Sequence, residues 1–323
     1  MDKGFENKEM SGKTVSLALG SGGARGFAHI GVIEVLLENG FQIRNIAGTS
    51  MGACVGGMYC AGKMDEFKDW VLKLNKREAF RLMDFTMSTQ GVMKGQKVME
   101  TLKTLLGEIN VEDFNIGYTA VATDVNTKEE IWMRTGDLYN VMRASSSLPT
   151  LMTPVRLGDR LLIDGGVLNP LPIEPLLPKQ TDIIIAVNIN ANSDNHQRFR
   201  EIDRKVLAEI SDESSDEKTK AYTARMAKTV KNWLNMKGDS VKTDPIQENT
   251  LTYFGMLNKT IDFMQDRMCE QTISYYQPDI VVNIPRHLGT TLDFYRAKEM
   301  IAEGRAACQR AVEVYENQKS ITA

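Results

Sequence analysis

Ser50 lies in the pentapeptide Gly48-Thr49-Ser50-Met51-Gly52, which fits the pattern G-x-S-x-G. The pentapeptide separates an apolar run, residues 43–47, from a segment with helical spacing, so a sharp turn would hold the hydroxyl above a sheet. The helix that follows would present backbone N–H groups and the positive end of its dipole. The pattern therefore predicts a serine nucleophile for acyl transfer, with Gly48 and Gly52 permitting the turn.

A glycine-rich segment, Gly20-Ser21-Gly22-Gly23-Ala24-Arg25-Gly26, precedes this turn in the chain. Its bare backbone N–H groups suit an anion, which could be a nucleotide phosphate or the oxyanion of an acyl-transfer intermediate. A dinucleotide site also expects an acidic residue at the end of the second strand, and a P-loop expects Gly-Lys-Ser/Thr. Neither is present, so the oxyanion interpretation is favoured, and a nucleotide-binding oxidoreductase is the rival.

A serine hydroxyl needs a base, and the sequence has only three histidines. His29 falls within an apolar helical stretch, His196 in a polar region and His287 after a strand, and nothing pairs any of them with Ser50. Asp164 follows the apolar run Leu161-Leu162-Ile163 and precedes Gly165 and Gly166. A carboxylate at a strand end could reach the serine, although Asp-Gly is also a common turn pair.

The elements that must position these residues begin in the order strand, helix, strand, helix, which predicts an α/β fold with a mainly parallel sheet covered by helices. Alternating residues predict two paired strands further along the chain. We expect strands at 15–19, 43–47, 118–122, 130–133, 160–163, 182–189 and 280–284, and helices at 27–37, 51–61, 137–144 and 293–315.

The composition is that of an ordinary soluble protein, with 42% hydrophobic and 25% charged residues and a net charge of −3. No global field would attract nucleic acid, and the four cysteines form no CxxC pair or zinc pattern. The first ten residues lack an apolar core, and no run of 18 apolar residues occurs, so we expect neither a signal peptide nor a membrane span. The expected location is cytoplasmic, with room for peripheral contact with a membrane.

The domain prediction is a disordered leader at 1–13 and a single domain at 14–323 with a polar helical insertion at about 193–250. Within the insertion, residues 217–237 form an amphipathic helical pattern. Its apolar face could pack on the protein's own core or lie on a membrane. The apolar positions are Tyr222, Met226, Val230 and Trp233, and the basic ones are Lys220, Arg225, Lys228 and Lys231.

Together, the glycine loop with Arg25, the turn at Ser50 and the Asp164-Gly165-Gly166 triplet resemble the patatin-like phospholipase family, and most closely its bacterial RssA-type branch. The resemblance covers about residues 14–320. It extends through Arg143-Ala144-Ser145, Leu148-Pro149, Asn169-Pro170-Leu171-Pro172 and Thr291-Leu292-Asp293-Phe294. Ser21 departs from the family pattern, where many members carry glycine.

The resemblance implies a three-layer α/β/α sandwich and a Ser–Asp dyad, with Ser50 as nucleophile and Asp164 as general base. It also implies an oxyanion hole formed by the amides of Gly22, Gly23 and Ala24, with Arg25 and Gly26 supporting the loop. No metal or other cofactor is implied.

The function implied is hydrolysis of phospholipids, lysophospholipids or related acyl esters through an acyl-enzyme. A transacylase with the same dyad and a regulatory protein with the same fold are the alternatives. Long acyl chains would need an apolar groove near Ser50, and flexible methionines suit such a groove. The candidate groove residues are Met51, Met83, Phe85, Met87, Met93, Leu148 and Met152.

Overall fold

The apolar runs of the sequence form the strands of one eight-stranded sheet in the computed structural model, which describes residues 12–88, 91–191 and 253–322. Within these ranges, residues 12–191 and 259–322 belong to one compact unit, and 253–258 belong to a second unit that spans 193–258. The predicted insertion at 193–250 lies outside the described residues, as does the leader apart from residues 12 and 13.

Most strands belong to this sheet, in which five neighbours run parallel in the order β11-β10-β1-β2-β5. Strands β6 and β9 pair antiparallel with β5, and β8 pairs antiparallel with β9. A second sheet has the order β3-β4-β7. The strands are β1 Thr14–Leu19, β2 Gln42–Thr49, β3 Phe85–Ser88, β4 Gly91–Met93, β5 Gly117–Asp124, β6 Glu129–Met133, β7 Thr150–Met152, β8 Val155–Leu157, β9 Arg160–Asp164, β10 Ile183–Ala191 and β11 Ile280–Pro285.

Eight α-helices lie within the described residues. Short 3-10 helices occupy several turns, including those at Gly23–Phe27, Gly165–Val167, Arg286–Leu288 and Phe294–Arg296. The α-helices are α1 Ala28–Glu38, α2 Met51–Cys60, α3 Met64–Leu72, α4 Lys76–Leu82, α5 Gln96–Leu106, α6 Leu138–Ser145, α7 Tyr253–Tyr276 and α8 Ala297–Thr322. None of these helices combines the length and the apolar character needed to cross a lipid bilayer.

Alternate residues of the central strands face two separate cores, because successive side chains of a strand point to opposite faces. On one face, Leu17 and Leu19 of β1 pack in the larger cluster, which includes residues of α1, α2 and α8. On the other face, Ala18 packs in a smaller cluster with Leu171 and Cys269, the latter from α7. The sheet is therefore the middle of three layers, as predicted.

The predicted elements are present with small shifts at their ends. The first helix starts at Ala28 because Gly23–Phe27 is a 3-10 helix, and the last starts at Ala297 because Phe294–Arg296 is another. Strands β5 and β6 pair around a turn as expected. The small sheet, strand β8 and helices α3, α4, α5 and α7 were not among the predicted elements.

Candidate active site

Strands β2 and β9 pair with the same edge of β5, run in opposite directions and end next to each other. The last residue of β2, Thr49, pairs with Val121, and the last residue of β9, Asp164, pairs with the next residue of β5, Ala122. Strand β6 occupies the opposite edge of β5 over both positions. Because β2 and β9 approach from opposite directions, Ser50 and Asp164 meet where the two strands end.

Ser50 adopts a backbone conformation that is rare for a residue with a side chain, with φ at 58° and ψ at −122°. Its amide donates a hydrogen bond to the hydroxyl of Ser145 at 2.9 Å, and helix α2 begins at the next residue. A Cβ atom on Gly52 would lie 2.1 Å from the carbonyl oxygen of Leu19. Glycine at position 52 therefore lets α2 begin directly against β1, which holds the strained turn in place.

The Asp164 side chain is buried with 1% exposure, and its Oδ1 accepts a hydrogen bond from the Gly166 amide at 2.7 Å. Burial raises the pKa of this carboxyl to about 6, because the charged form loses its hydration. The Ser50 hydroxyl and the Gly166 amide oppose this and lower the pKa.

The second carboxylate oxygen, Oδ2, is buried and lacks a well-aligned hydrogen bond from any described group. The serine hydroxyl is thus near enough to stabilise the carboxylate but does not form a fully aligned bond, as is common in resting active sites. A buried carboxylate beside a serine hydroxyl can accept that hydroxyl's proton.

The glycine loop passes beside both residues. A Cβ atom on Gly26 would meet the Met51 side chain at 2.3 Å, and one on Gly166 would meet the Ser21 hydroxyl at 2.8 Å. The amides of Gly22 and Gly23 have no hydrogen-bond partner among the described residues, whereas their neighbours are bonded. Two free donors on a loop next to the nucleophile suit an oxyanion.

Ala24 was also expected in this donor set, but its amide is not free in the structure. Its amide donates to the carbonyl of Thr291 at 3.0 Å, so it is already occupied. The bond comes from the segment between β11 and α8, which the sequence pattern did not place beside the glycine loop.

Arg25 links the glycine loop to two other segments. Its guanidinium donates to the Gly289 carbonyl at 2.9 Å and to the Asn190 side chain at 3.2 Å, and Asn190 in turn donates to the Ser21 carbonyl at 2.7 Å. Burial and the nearby charge of Arg286 together lower the pKa of Arg25 to about 10, although nearby aspartates oppose this shift. The supporting role expected for this residue stays a prediction.

His29 is fully buried and holds the loop from the other side. Its Nε2 lies 2.9 Å from the Gly20 carbonyl oxygen, so this nitrogen carries the proton and donates it. Burial lowers the pKa of His29 to about 4, which keeps the ring neutral at ordinary pH. The sequence favoured a packed or hydrogen-bonded helix residue over a base at this position but gave no sign of its contact with Gly20.

His287 lies in the turn after β11, and β11 is separated from β2 by two intervening strands. His196 lies outside the described residues.

Four of the seven predicted groove residues gather at the small sheet, where Met93 pairs with both Phe85 and Met152, and the Met152 amide donates to the Leu148 carbonyl at 2.8 Å. This sheet adjoins the site, because the residue before Leu148, Ser147, accepts a hydrogen bond from the Asp164 amide at 3.0 Å. Met51 packs at Gly26, and Met83 follows α4. The Met87 side chain lies outside the described part of the structure.

Comparison with known proteins agrees with these features. A family model described as patatin-like phospholipase matches residues 17–177. An uncharacterized NTE family protein of Mycobacterium tuberculosis is 34% identical over 337 residues, which cover 95% of this chain and 93% of the relative. The neuropathy target esterase sws of Drosophila melanogaster is 29% identical over 192 residues, covering 57% of this chain and 13% of that protein.

Among solved structures, VipD from Legionella pneumophila aligns with 94% of this chain and 67% of its own at 13% identity, with a TM-score of 0.42. The fold assignment rests on the sheet order and the family, and not on this likeness. The RssA-type branch stays a prediction, since the bacterial relative is named for the NTE family. With such identity across nearly the whole length of both chains, the chain belongs to the patatin-like phospholipase family of lipid acyl hydrolases, and it is a hydrolase of ester bonds.

Proposed function

We propose that this enzyme cleaves carboxylic esters of phospholipids, lysophospholipids or related lipids through a Ser50–Asp164 dyad. The observation that carries the proposal is the meeting of β2 and β9 on β5. It sets a serine in a strained turn beside a buried carboxyl whose pKa is raised to about 6. A carboxylate with a pKa near neutrality is a better proton acceptor than an ordinary aspartate.

In the acylation step the Ser50 hydroxyl oxygen attacks the ester carbonyl carbon while Asp164 takes the hydroxyl proton. The carbonyl oxygen becomes an oxyanion and accepts hydrogen bonds from the amides of Gly22 and Gly23. Each good donor of this kind contributes on the order of 3–4 kcal/mol to transition-state stabilisation. The tetrahedral intermediate then releases the alcohol, which takes the proton from Asp164.

In the deacylation step a water molecule attacks the acyl-enzyme and gives its proton to Asp164. The same oxyanion donors serve the second tetrahedral intermediate. When the fatty acid leaves, the proton returns to the Ser50 oxygen, so the dyad is restored. The apolar side chains of Phe85, Met93 and Met152 are proposed to receive the acyl chain, because the small sheet adjoins Ser147 and Asp164.

Contact with a lipid surface through residues 217–237 remains a proposal from the sequence pattern alone. That segment lies outside the described residues.

The first prediction is that Ser50→Ala and Asp164→Asn each lower the hydrolysis of a p-nitrophenyl acyl ester by at least about 1,000-fold, because each removes one half of the dyad. A fluorophosphonate probe should label the wild type at Ser50, and peptide mass spectrometry identifies the site. Ser320→Ala and Asp159→Asn, both on exposed parts of the chain, are the matched controls and should keep full activity. Labelling of a different serine, or near-normal turnover by either dyad variant, would contradict the proposal.

A further inference from the structure

The carboxyl end of α6 reaches both members of the proposed dyad. Ser145, the last residue of α6, is completely buried. Its hydroxyl accepts a hydrogen bond from the Ser50 amide at 2.9 Å and donates one to the Val121 carbonyl at 2.6 Å. Two residues on, the Ser147 carbonyl accepts a hydrogen bond from the Asp164 amide at 3.0 Å. One short segment is therefore bonded to the backbones of Ser50 and Asp164.

The Ser145 hydroxyl lies at the point where the ladder between β2 and β5 ends. Thr49 and Val121 form the last pair of that ladder, and at Ser50 the chain turns away from β5. The amide of Ser50 and the carbonyl of Val121 are bridged by the hydroxyl instead of by a further pair of residues. Without it, two buried backbone groups would lack a partner, at a cost of about 1–3 kcal/mol each.

The same hydroxyl acts on a strained backbone. The positive φ of Ser50 costs on the order of 1–3 kcal/mol and persists only if surrounding contacts enforce it. The Val121 carbonyl, which accepts the Ser145 hydrogen bond, also contacts the chain next to Asp164. A Cβ atom on Gly165 would lie 2.3 Å from the Val121 oxygen, so Gly165 rests against the carbonyl to which Ser145 donates.

We propose that Ser145 is a positioning residue that fixes the direction of the Ser50 hydroxyl toward Asp164 by bridging the Ser50 amide to the Val121 carbonyl. The inference rests on the proposed dyad. Ser145 touches neither substrate nor reacting atoms, so its loss should reduce turnover and leave substrate binding nearly unchanged. Because its hydroxyl accepts the hydrogen bond of the Ser50 amide, that amide is not available as an oxyanion donor.

The test compares Ser145→Ala with Ser146→Ala in the full-length protein. Ser146 is the adjacent serine, and its hydroxyl donates to the Met142 carbonyl at 2.7 Å and lies beside the Cys54 thiol, so it is not bonded to the backbone of Ser50 or Asp164. We expect Ser145→Ala to lower kcat by about 10- to 100-fold with KM changed by no more than about twofold, because small misplacements of a nucleophile affect the chemical step. Fluorophosphonate labelling of Ser50 should slow by a similar factor. Ser146→Ala should match the wild type in both measurements.

Circular dichroism and a thermal melt establish that the variant is folded at the assay temperature. If Ser145→Ala does not fold, Ser145→Cys decides in its place, since a thiol keeps the shape but is a weak donor and acceptor. A folded Ser145 variant with kcat within about twofold of wild type overturns the inference, as does a loss that lies in KM alone. Ser50→Ala, assayed in parallel, distinguishes a failure of the proposed dyad from a failure of the positioning role of Ser145. If Ser50→Ala is active, the dyad is wrong, whereas an inactive Ser50→Ala beside a normal Ser145→Ala refutes the positioning role alone.

Discussion

Asp164 is placed where its ionisation is opposed by burial and aided by only two neighbours. Burial raises its pKa, the Ser50 hydroxyl and the Gly166 amide offset part of that rise, and the net pKa is about 6. His29 is also fully buried, but its pKa is lowered to about 4, which leaves it neutral and fixed on the Gly20 carbonyl. Within this site, Asp164 rather than a histidine is the group that titrates near neutral pH.

The activity should therefore follow the ionisation of Asp164. If Asp164 is the base, as proposed, its carboxylate is the active form, so kcat/KM for a neutral ester should rise with pH and level off above pH 6 as Asp164 becomes fully ionised. At pH 5 only about one tenth of the plateau value should remain. The measurement is a pH–rate profile from pH 4.5 to 9, with Asp159→Asn as a control that leaves the midpoint in place. A midpoint at the ordinary aspartate value near 4 would show that the working base is not a desolvated carboxyl.

Helix α2 must start immediately at the end of β2, and close contact with β1 makes this possible. The position of Gly52 allows no side chain, because its Cβ would lie 2.1 Å from the Leu19 carbonyl oxygen and 2.6 Å from the Leu19 carbonyl carbon. Neither backbone atom can move without disturbing the pairing of β1 with β2 and β10. The glycine needed at this turn is thus fixed by the packing of an element as well as by the turn itself.

Gly52→Ala should destabilise the protein by more than about 3 kcal/mol, since overpacking against rigid backbone is costly. The matched control is Gly62→Ala, where a Cβ meets nothing within 4 Å and only the φ of 66° is unfavourable. That control should cost about 1–2 kcal/mol. Urea unfolding followed by circular dichroism gives both values. A Gly52→Ala variant no less stable than Gly62→Ala would disprove the close-packing argument.

Much of this element arrangement was accessible from sequence. Apolar runs that stop at glycine, such as the one before Gly20, predicted β1, β2 and the sharp turn at Ser50 between β2 and α2. The small sheet was not predicted because its strands have three or four residues, too few to show a period. The bond of the Ala24 amide to Thr291 and the contacts of Ser145 were not predicted, because both are hydrogen bonds to residues far away in the chain.

At the scale of the whole molecule, the raised pKa of Asp164 predicts that this residue lowers the free energy of unfolding near neutral pH. The folded-state pKa of Asp164, about 6, exceeds the ordinary value of 3.8. Between these pH values the folded protein binds more protons than the unfolded chain, so stability from this group falls as the pH rises and stays low above pH 6. The total loss is about 3 kcal/mol.

Asp164→Asn should accordingly be more stable than the wild type by about 1–3 kcal/mol at pH 8, although we expect it to be inactive. An asparagine oxygen can still accept the Gly166 hydrogen bond and carries no charge to desolvate. The difference should shrink as the pH falls from 6 and vanish near pH 4, where Asp164 is protonated in the wild type. Chemical denaturation at pH 4, 6 and 8 measures it, and His29 contributes equally to both proteins. Equal stabilities at pH 8 would contradict the desolvation cost.

Because β2 and β9 both pair with β5, this one strand sets the distance between Ser50 and Asp164. Val121 and Ala122 are consecutive residues of β5, so the separation between the chain positions that deliver Ser50 and Asp164 is one step along a hydrogen-bonded strand. The segments that connect these strands do not affect that separation. We therefore expect that insertions between α3 and β5, natural or engineered, would leave the separation of Ser50 and Asp164 unchanged.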